Sequence, residues 1–426
     1  MEISAKAKPK VIERKVLIPF ILITSLFALW GFANDLTNPM VAVFQTIMEI
    51  SAKKASMIQF AFYGGYATMA IPAALFIRKY GFKRGILFGM VLYATGTLLF
   101  YPAAQYEIFT FFLLSLYILT FGLAFLETTA NPFILSMGDA ETATRRLNLA
   151  QAFNPLGSIT GMFIATRVIL SSLESEQHGV FSNLDAVQKA AIRTHDLGII
   201  KMPYIILGFV VLAMLVLIVF VKMPNGNKKT YSSTPGETFR RLIKNKRYTG
   251  GVVAQAFYVG AQIMCWTFII HYGENLGLSK AQAQNFNIVA MAIFISSRFI
   301  STFIMKFINS RKLLTIFAIG GIVTLIGVIL IKGMGGMYML VATSAFMSLM
   351  FPTIYGIALN GLGEDSTLGS AGLILAIVGG AIMPPLQAAI IDLKYVAGMS
   401  AINASFILPL ICFIVIGIYG YKSIKS

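Results

Sequence analysis

Charge is scarce in this chain. Of its 426 residues only 12% are Asp, Glu, Lys or Arg, and the acidic ones number 17. A water-soluble fold of this length needs far more polar surface. Composition therefore excludes a large soluble enzyme, whose helices would carry polar faces that the long apolar runs here lack. Cysteine is limited to Cys265 and Cys412, both inside apolar runs, which leaves no disulfide framework and no thiolate metal site. The three histidines, His178, His195 and His271, are scattered without ligand spacing. No metal centre, catalytic cluster or cofactor is expected from such a set.

Apolar sequence, by contrast, is abundant: 57% of the residues are hydrophobic, and the mean hydropathy is +0.78. Runs of about 20 apolar residues, enough to cross a hydrocarbon layer of roughly 30 Å, recur along the whole chain. The expected fold class is an all-α polytopic membrane protein with twelve transmembrane helices. They are placed at 16–48, 56–78, 85–104, 107–137, 147–170, 201–223, 249–272, 282–306, 313–332, 337–361, 367–392 and 399–421. The first run ends without a small-residue cleavage site, so it reads as a retained helix and not a signal peptide. A polar, basic stretch, KMPNGNKKTYSSTPGETFRRLIKNKR, runs from Lys222 to Arg247. It divides the chain into a six-helix half at 1–223, a linker at 224–247 and a second six-helix half at 248–426.

A net charge of +17 would suit a nucleic-acid binder, but its placement argues for membrane orientation instead. With the N-terminus inside, 24 Lys and Arg fall in inner segments and eight in outer ones. That asymmetry fits the positive-inside rule and puts both termini and the linker in the cytoplasm. The outer segment 171–200 is then the largest external loop, with room for a short surface helix.

Four charged residues fall within the apolar runs: Asp35, Glu127, Arg167 and Arg298. An ionised side chain at bilayer depth costs about 2.5–3.5 kcal/mol or more and normally faces a partner or a wet cavity. Arg167, near a helix end, can snorkel to the interface. Arg298, in FISSRFIST, has two readings, a structural clamp on a carboxylate or on backbone carbonyls, or a working part. Asp35 lies in FALWGFANDLTNP with Asn38, and Glu127 lies in FGLAFLETTANPF with Asn131. Spacings of three and four put each pair on one helix face. Pro39 and Pro132 follow, and proline frees a carbonyl and permits a bend toward a cavity. Desolvation penalises the charged form of a carboxylate, which suits a group that must load and release a proton.

Further polar residues extend this face. Gln59, Tyr63 and Tyr66 lie on the second helix, and Asn148, Gln151 and Asn154 on the fifth. Gln255, Tyr258, Gln262 and Trp266 form one stripe on the seventh. Amides donate and accept together, and an aromatic ring stacks on the C–H face of a pyranose. The set suits a neutral sugar, although each amide alone suits helix-to-helix hydrogen bonding equally.

Twelve helices as six plus six, with a basic central loop, resemble the layout of a major facilitator transporter, which holds its substrate between two halves. RKYGFKRG (Arg78 to Gly85) is similar to that superfamily's loop between helices 2 and 3, though Ile77 and Arg78 stand where the acidic residue is usual. KFINSRKLL (Lys306 to Leu314) occupies the corresponding place in the second half. More specifically, FALWGFANDLTNP, IQFAFYGGY, LETTANPF, RLNLAQAFNPLG, AQAFYVGAQIMCW and SAFMSLMFPTIYG resemble the fucose/glucose/galactose–proton symporter family. The resemblance implies uptake of L-fucose or a related hexose, driven by protons, across a bacterial inner membrane by alternating access. It implies no nucleic-acid partner and a functional monomer. In the family's pattern a helix 4 glutamate and a helix 1 aspartate bind substrate and couple protons. The glutamate matches Glu127; the aspartate position holds Asn38, with Asp35 one turn earlier. The expected proton-coupling residues are Glu127 and Asp35. The expected sugar contacts are Asp35, Asn38, Gln59, Tyr63, Glu127, Asn131, Gln151, Asn154, Gln262 and Trp266. Arg298, Pro39 and Pro132 are expected to shape or gate the path. A glucose/galactose symporter is the close alternative, and a membrane sugar sensor that does not transport is the alternative from another class.

Overall fold

A computed structural model describes residues 10–425 apart from 38–39, 52–53, 55–56, 178–180, 182–183, 225–232, 394 and 397. Twelve helices among the described residues are long and apolar enough to cross a membrane. In chain order the spans are Arg14–Thr37, Phe60–Tyr80, Phe82–Tyr106, Phe109–Ser136, Ala143–Ser172, Ala186–Phe220, Lys246–Asn275, Gln282–Ile304, Ser310–Leu330, Met334–Leu359, Gly363–Ile391 and Ala401–Ile424. They are called the first to the twelfth span below. The only strands among the described residues form a two-residue hairpin, Tyr395–Val396 with Met399–Ser400.

Two boundaries differ from the sequence reading. The run expected as one helix at 16–48 contains two, the first span and a separate helix Met40–Ile47, with Asn38 and Pro39 outside the described residues. The segment 171–200 is not mainly a loop. A short helix occupies Glu174–Gln177, and the sixth span already begins at Ala186. Its start is fixed by a capping box: the Gln188 amide donates to Asp185 Oδ1 at 2.8 Å, and the Asp185 amide donates to Gln188 Oε1 at 3.3 Å. Such a cap satisfies end-of-helix amides reciprocally and lets a helix start outside an apolar run.

By its contacts the chain divides into two compact units, Leu22–Ala130 with Phe153–Lys222, and Met1–Ile21 with Asn131–Ala152 and Met223–Ser426. In the former, the first and fifth spans meet backbone to backbone. A Cβ added at Gly157 would lie 1.8 Å from the Ala28 carbonyl oxygen, and one at Gly161 2.4 Å from that of Phe32. Only glycine permits this approach, the usual way that helices associate in lipid, where no hydrophobic force drives them together. Asn154 stands at the head of this seam and donates from Nδ2 to the Phe27 carbonyl at 3.1 Å. The same unit holds Tyr204, which stacks on Phe100 at 3.8 Å and hydrogen-bonds Thr37 at 3.0 Å.

In the other unit the core gathers around the seventh, ninth, tenth and twelfth spans, with Tyr258, Met264, Cys265, Met347, Phe406 and Phe413 wholly or almost wholly buried. Two of the twelve spans are interrupted. The helix Ala143–Gln151 ends before a second helix resumes at Asn154, and Met334–Met347 ends before Met350–Leu359. Outside the spans, a ten-residue helix Pro235–Lys244 occupies part of the linker, started by a second capping box from Thr234 to Glu237.

Candidate functional site

The structure distributes the expected site residues over both units. In Leu22–Ala130 with Phe153–Lys222, three spans carry acid and phenol groups. Asp35 on the first span and Glu127 on the fourth are both half-buried. Tyr63, on the second span, is near enough to Asp35 to feel its charge. Tyr66, one turn further, is near enough to Glu127 to feel its charge. One carboxylate oxygen of Glu127, Oε2, is wholly screened from solvent. Each acid thus has a tyrosine of the second span electrostatically near it, inside spans that are otherwise apolar. Such groups can pass or share a proton and can hydrogen-bond a hydroxylated solute. Asn154, also placed in this unit, is tied to the Phe27 carbonyl as described.

The second group lies in Asn131–Ala152 with Met223–Ser426. Asn131 is fully buried at the end of the fourth span, and its Oδ1 accepts from Gln151 Nε2 at 2.8 Å. On the seventh span the expected stripe is graded. Gln255 and Tyr258 are fully buried, whereas Gln262 and Trp266 are half-buried. The Trp266 indole N–H donates to Ser344 Oγ at 3.2 Å, and its ring meets Phe294 edge-on at 4.9 Å.

Arg298 lies in the same cluster. It is 3% exposed, with its guanidinium 4.5 Å from the Phe294 ring centre. Nη1 donates to the Gln151 carbonyl at 2.9 Å, and Nε donates to the Ser348 carbonyl. Both carbonyls sit where a span is interrupted, and the sequence says why they are available. Four residues after Gln151 stands Pro155, and four after Ser348 stands Pro352. Neither has an N–H, so neither carbonyl has its helical donor. A buried carbonyl without a donor costs about 1–3 kcal/mol, and in lipid there is no water to supply one. Arg298 serves both with one planar fork, which a lysine cannot do. Of the two partners that a clamping Arg298 could take, a carboxylate or backbone carbonyls, the structure shows carbonyls.

Around Arg298 the helix Ala143–Gln151 is held by further bonds. Asn148 Nδ2 donates to Thr353 Oγ1 at 3.1 Å, and Arg145 Nε donates to the Thr302 carbonyl at 3.1 Å. Arg146 is fully buried. Its guanidinium donates to the carbonyls of Ile134 at 2.8 Å and Leu135 at 2.7 Å, capping the end of the fourth span, and to that of Val11 at 3.2 Å. Arg145, Arg146 and Thr353 were not singled out from the sequence. The two arginines read there as ordinary loop charge, and only the start of a helix at Ala143 could have shown that they point inward.

Three expected residues give no geometry. Asn38 and Pro39 lie outside the described residues, as does the side chain of Gln59. Pro132 lies within the fourth span, which remains helical from Phe109 to Ser136. Among the described residues no group of three or more His, Cys, Asp or Glu could hold a metal ion.

The chain is similar to known proteins over nearly its whole length. The family model described as the Major Facilitator Superfamily matches residues 21–384. An L-fucose-proton symporter of Haemophilus influenzae is 63% identical over 422 residues, covering 98% of this chain and 99% of the relative. A glucose/galactose transporter of Brucella abortus is 31% identical over 415 residues, covering 95% and 93%. The crystal structure of FucP, a Major Facilitator Superfamily transporter in the outward conformation, superposes with a TM-score of 0.89 at 33% identity over 96% of this chain and 99% of that one. This multi-pass membrane chain belongs to the Major Facilitator Superfamily, in the branch of it that these sugar transporters occupy.

Proposed function

We propose that the chain is an L-fucose–proton symporter of a bacterial inner membrane, a carrier and not an enzyme. The observation that carries this reading is the pair of acids Asp35 and Glu127 within apolar spans, each with a tyrosine of the second span electrostatically near it, in a chain 63% identical over 98% of its length to an L-fucose-proton symporter. The substrate is a neutral monosaccharide with a proton as its companion; the lipid bilayer is the only other partner, nucleic acid has no part, and a monomer suffices.

On this reading Glu127 loads and releases the proton, and Asp35 or Asn38 takes the helix 1 role. The sugar is held by Gln59, Tyr63, Asn131, Gln151, Asn154, Gln262 and Trp266 together with those acids. The halves at 1–223 and 248–426 move as bodies joined by the linker 224–247, with both termini and the linker cytoplasmic, as the Lys and Arg asymmetry supports. Alternating access requires bonds that hold in one state and part in another. The bonds from Arg298 to Gln151 and from Asn148 to Thr353 suit that part, and Pro39 and Pro132 supply local freedom.

The test is uptake of labelled L-fucose, galactose and glucose into proteoliposomes under an imposed pH gradient. L-Fucose is expected to accumulate, and Glu127→Gln to abolish accumulation while leaving sugar exchange. Accumulation by Glu127→Gln at the wild-type level would remove Glu127 from the coupling. Preference for glucose and galactose would transfer the reading to the substrates for which the 31% relative is named.

A further inference from the structure

The helix Pro235–Lys244 lies outside the twelve spans, yet two of its large apolar side chains are in the open. Thr238 and Leu242 are buried, 0% and 2% exposed, whereas Phe239 and Ile243 are 54% and 57% exposed. Exposure of such residues on a span is explained by lipid; here it is not. With about 3.6 residues per turn, four stripes follow one another around this helix. Thr238 and Leu242 face the protein. Phe239 and Ile243 come next, then Arg240 and Lys244, and finally Glu237 and Arg241, which close the circle.

The helix is fixed in place. Arg241 grips Asp365 with two bonds, at 2.6 and 2.9 Å, and its Nη2 also donates to Ser233 Oγ at 2.7 Å. Asp365 holds the Arg241 charge firmly, pushing its pKa above the ordinary value. Asn245 alone separates the helix from the seventh span, so the apolar stripe ends at Ile243, three residues before that span begins at Lys246. Arg240 and Lys244 are exposed, and among the described residues neither forms an ion pair.

A helix with an apolar stripe flanked by basic residues, at the mouth of a span, has the anatomy of an interfacial helix. We infer that Pro235–Lys244 is an interfacial anchor: Phe239 and Ile243 enter the acyl boundary, and Arg240 and Lys244 take the phosphate of an anionic phospholipid. Charge complementarity selects that occupant. Zwitterionic lipid would satisfy the apolar stripe alone, and an acidic headgroup satisfies both stripes.

Nitroxide labels at Phe239→Cys, Ile243→Cys and Glu237→Cys in the full chain, reconstituted in vesicles of phosphatidylcholine and phosphatidylglycerol, test the placement. The native Cys265 and Cys412 are buried and take no label. Labels at 239 and 243 are expected to be relaxed by oxygen and shielded from a water-soluble nickel reagent, with the reverse at 237. Lipid retained on the purified chain, counted by native mass spectrometry, tests the charge. At about fivefold per basic residue, Arg240→Gln with Lys244→Gln should weaken binding of one phosphatidylglycerol roughly 25-fold against phosphatidylcholine. Arg240→Lys with Lys244→Arg should leave it unchanged. Water-exposed labels at 239 and 243, phosphatidylglycerol binding that the double Gln variant leaves intact, or cross-linking through residue 239 to a second copy would each overturn the assignment.

Discussion

Arg298→Lys separates a positioning role from mere charge at this site. The substitution keeps the positive charge but replaces a planar fork by one ammonium, so of the Gln151 and Ser348 carbonyls at least one loses its donor. A hydrogen bond to a charged group is worth about 1.5–3 kcal/mol. If the lost bond is that to Gln151, opening of the helix Ala143–Gln151 becomes easier by roughly 10- to 150-fold at 1.4 kcal/mol per factor of ten. Ala150→Cys reports the opening, because Ala150 is 0% exposed and the native thiols Cys265 and Cys412 are 0% and 1% exposed. Its rate of alkylation should rise by that factor in the Arg298→Lys background. The bonds from Asn148 to Thr353 and from Arg145 to Thr302 remain, so the chain should still fold and melt as one body. An alkylation rate within threefold of the Ala150→Cys parent would refute the idea that Arg298 holds this helix down.

The bilayer-spanning architecture was readable because hydropathy acts over about 20 residues and needs no knowledge of partners. All twelve expected runs have a span in the structure. What hydropathy misses is helix that is not apolar. The first turns of Ala186–Phe220 and the whole of Pro235–Lys244 carry too many polar residues to register. Their signals were local instead, Asp185 with Gln188 and Thr234 with Glu237, each a cap residue followed three later by a side chain that reaches back. The acids Asp35 and Glu127 stood out because charge is costly at that depth, and the tyrosines near them lie on a helix whose polar face was visible. Arg298 was visible too, but its partners were not. They are backbone carbonyls 147 and 50 residues away in sequence, and no side-chain pattern encodes them. Pro155 and Pro352 did encode that two carbonyls needed a donor from elsewhere, so the demand could be read from the sequence even where the supplier could not.

Three further outcomes can be checked on stability. Gly157→Ala should destabilise by about 3 kcal/mol or more, above the usual overpacking range, because the added carbon meets backbone and not a side chain that can turn aside. Loss of a monodisperse peak in fluorescence-detected gel filtration would register it, and a normal melting temperature would refute the seam between the first and fifth spans. Gly198→Ala, on a helix with open space around the site, should instead stabilise by roughly 1 kcal/mol from propensity alone. The pair therefore shifts the melting temperature in opposite directions. At the N-terminal end of the sixth span, Lys189 Nζ lies 2.7 Å from Glu49 Oε1 and Arg193 Nη2 3.6 Å from Oε2. The Lys189 hydrogen bond, foremost, holds the Glu49 carboxyl below the ordinary carboxylate range. A depressed folded-state pKa means that the unfolded form binds the proton more readily. The contribution to stability is therefore complete above the unfolded value, near 4.3, and disappears as pH falls through the folded one. Hydrogen exchange of the segment 186–193 should accordingly be slower in the wild type than in Glu49→Gln from neutral pH down to about 5. The two should converge on further acidification. A gap that widened with acid would mean that Glu49 is held protonated in the folded chain, and the clasp between Met40–Ile47 and the sixth span would have to be built on something other than these two cations.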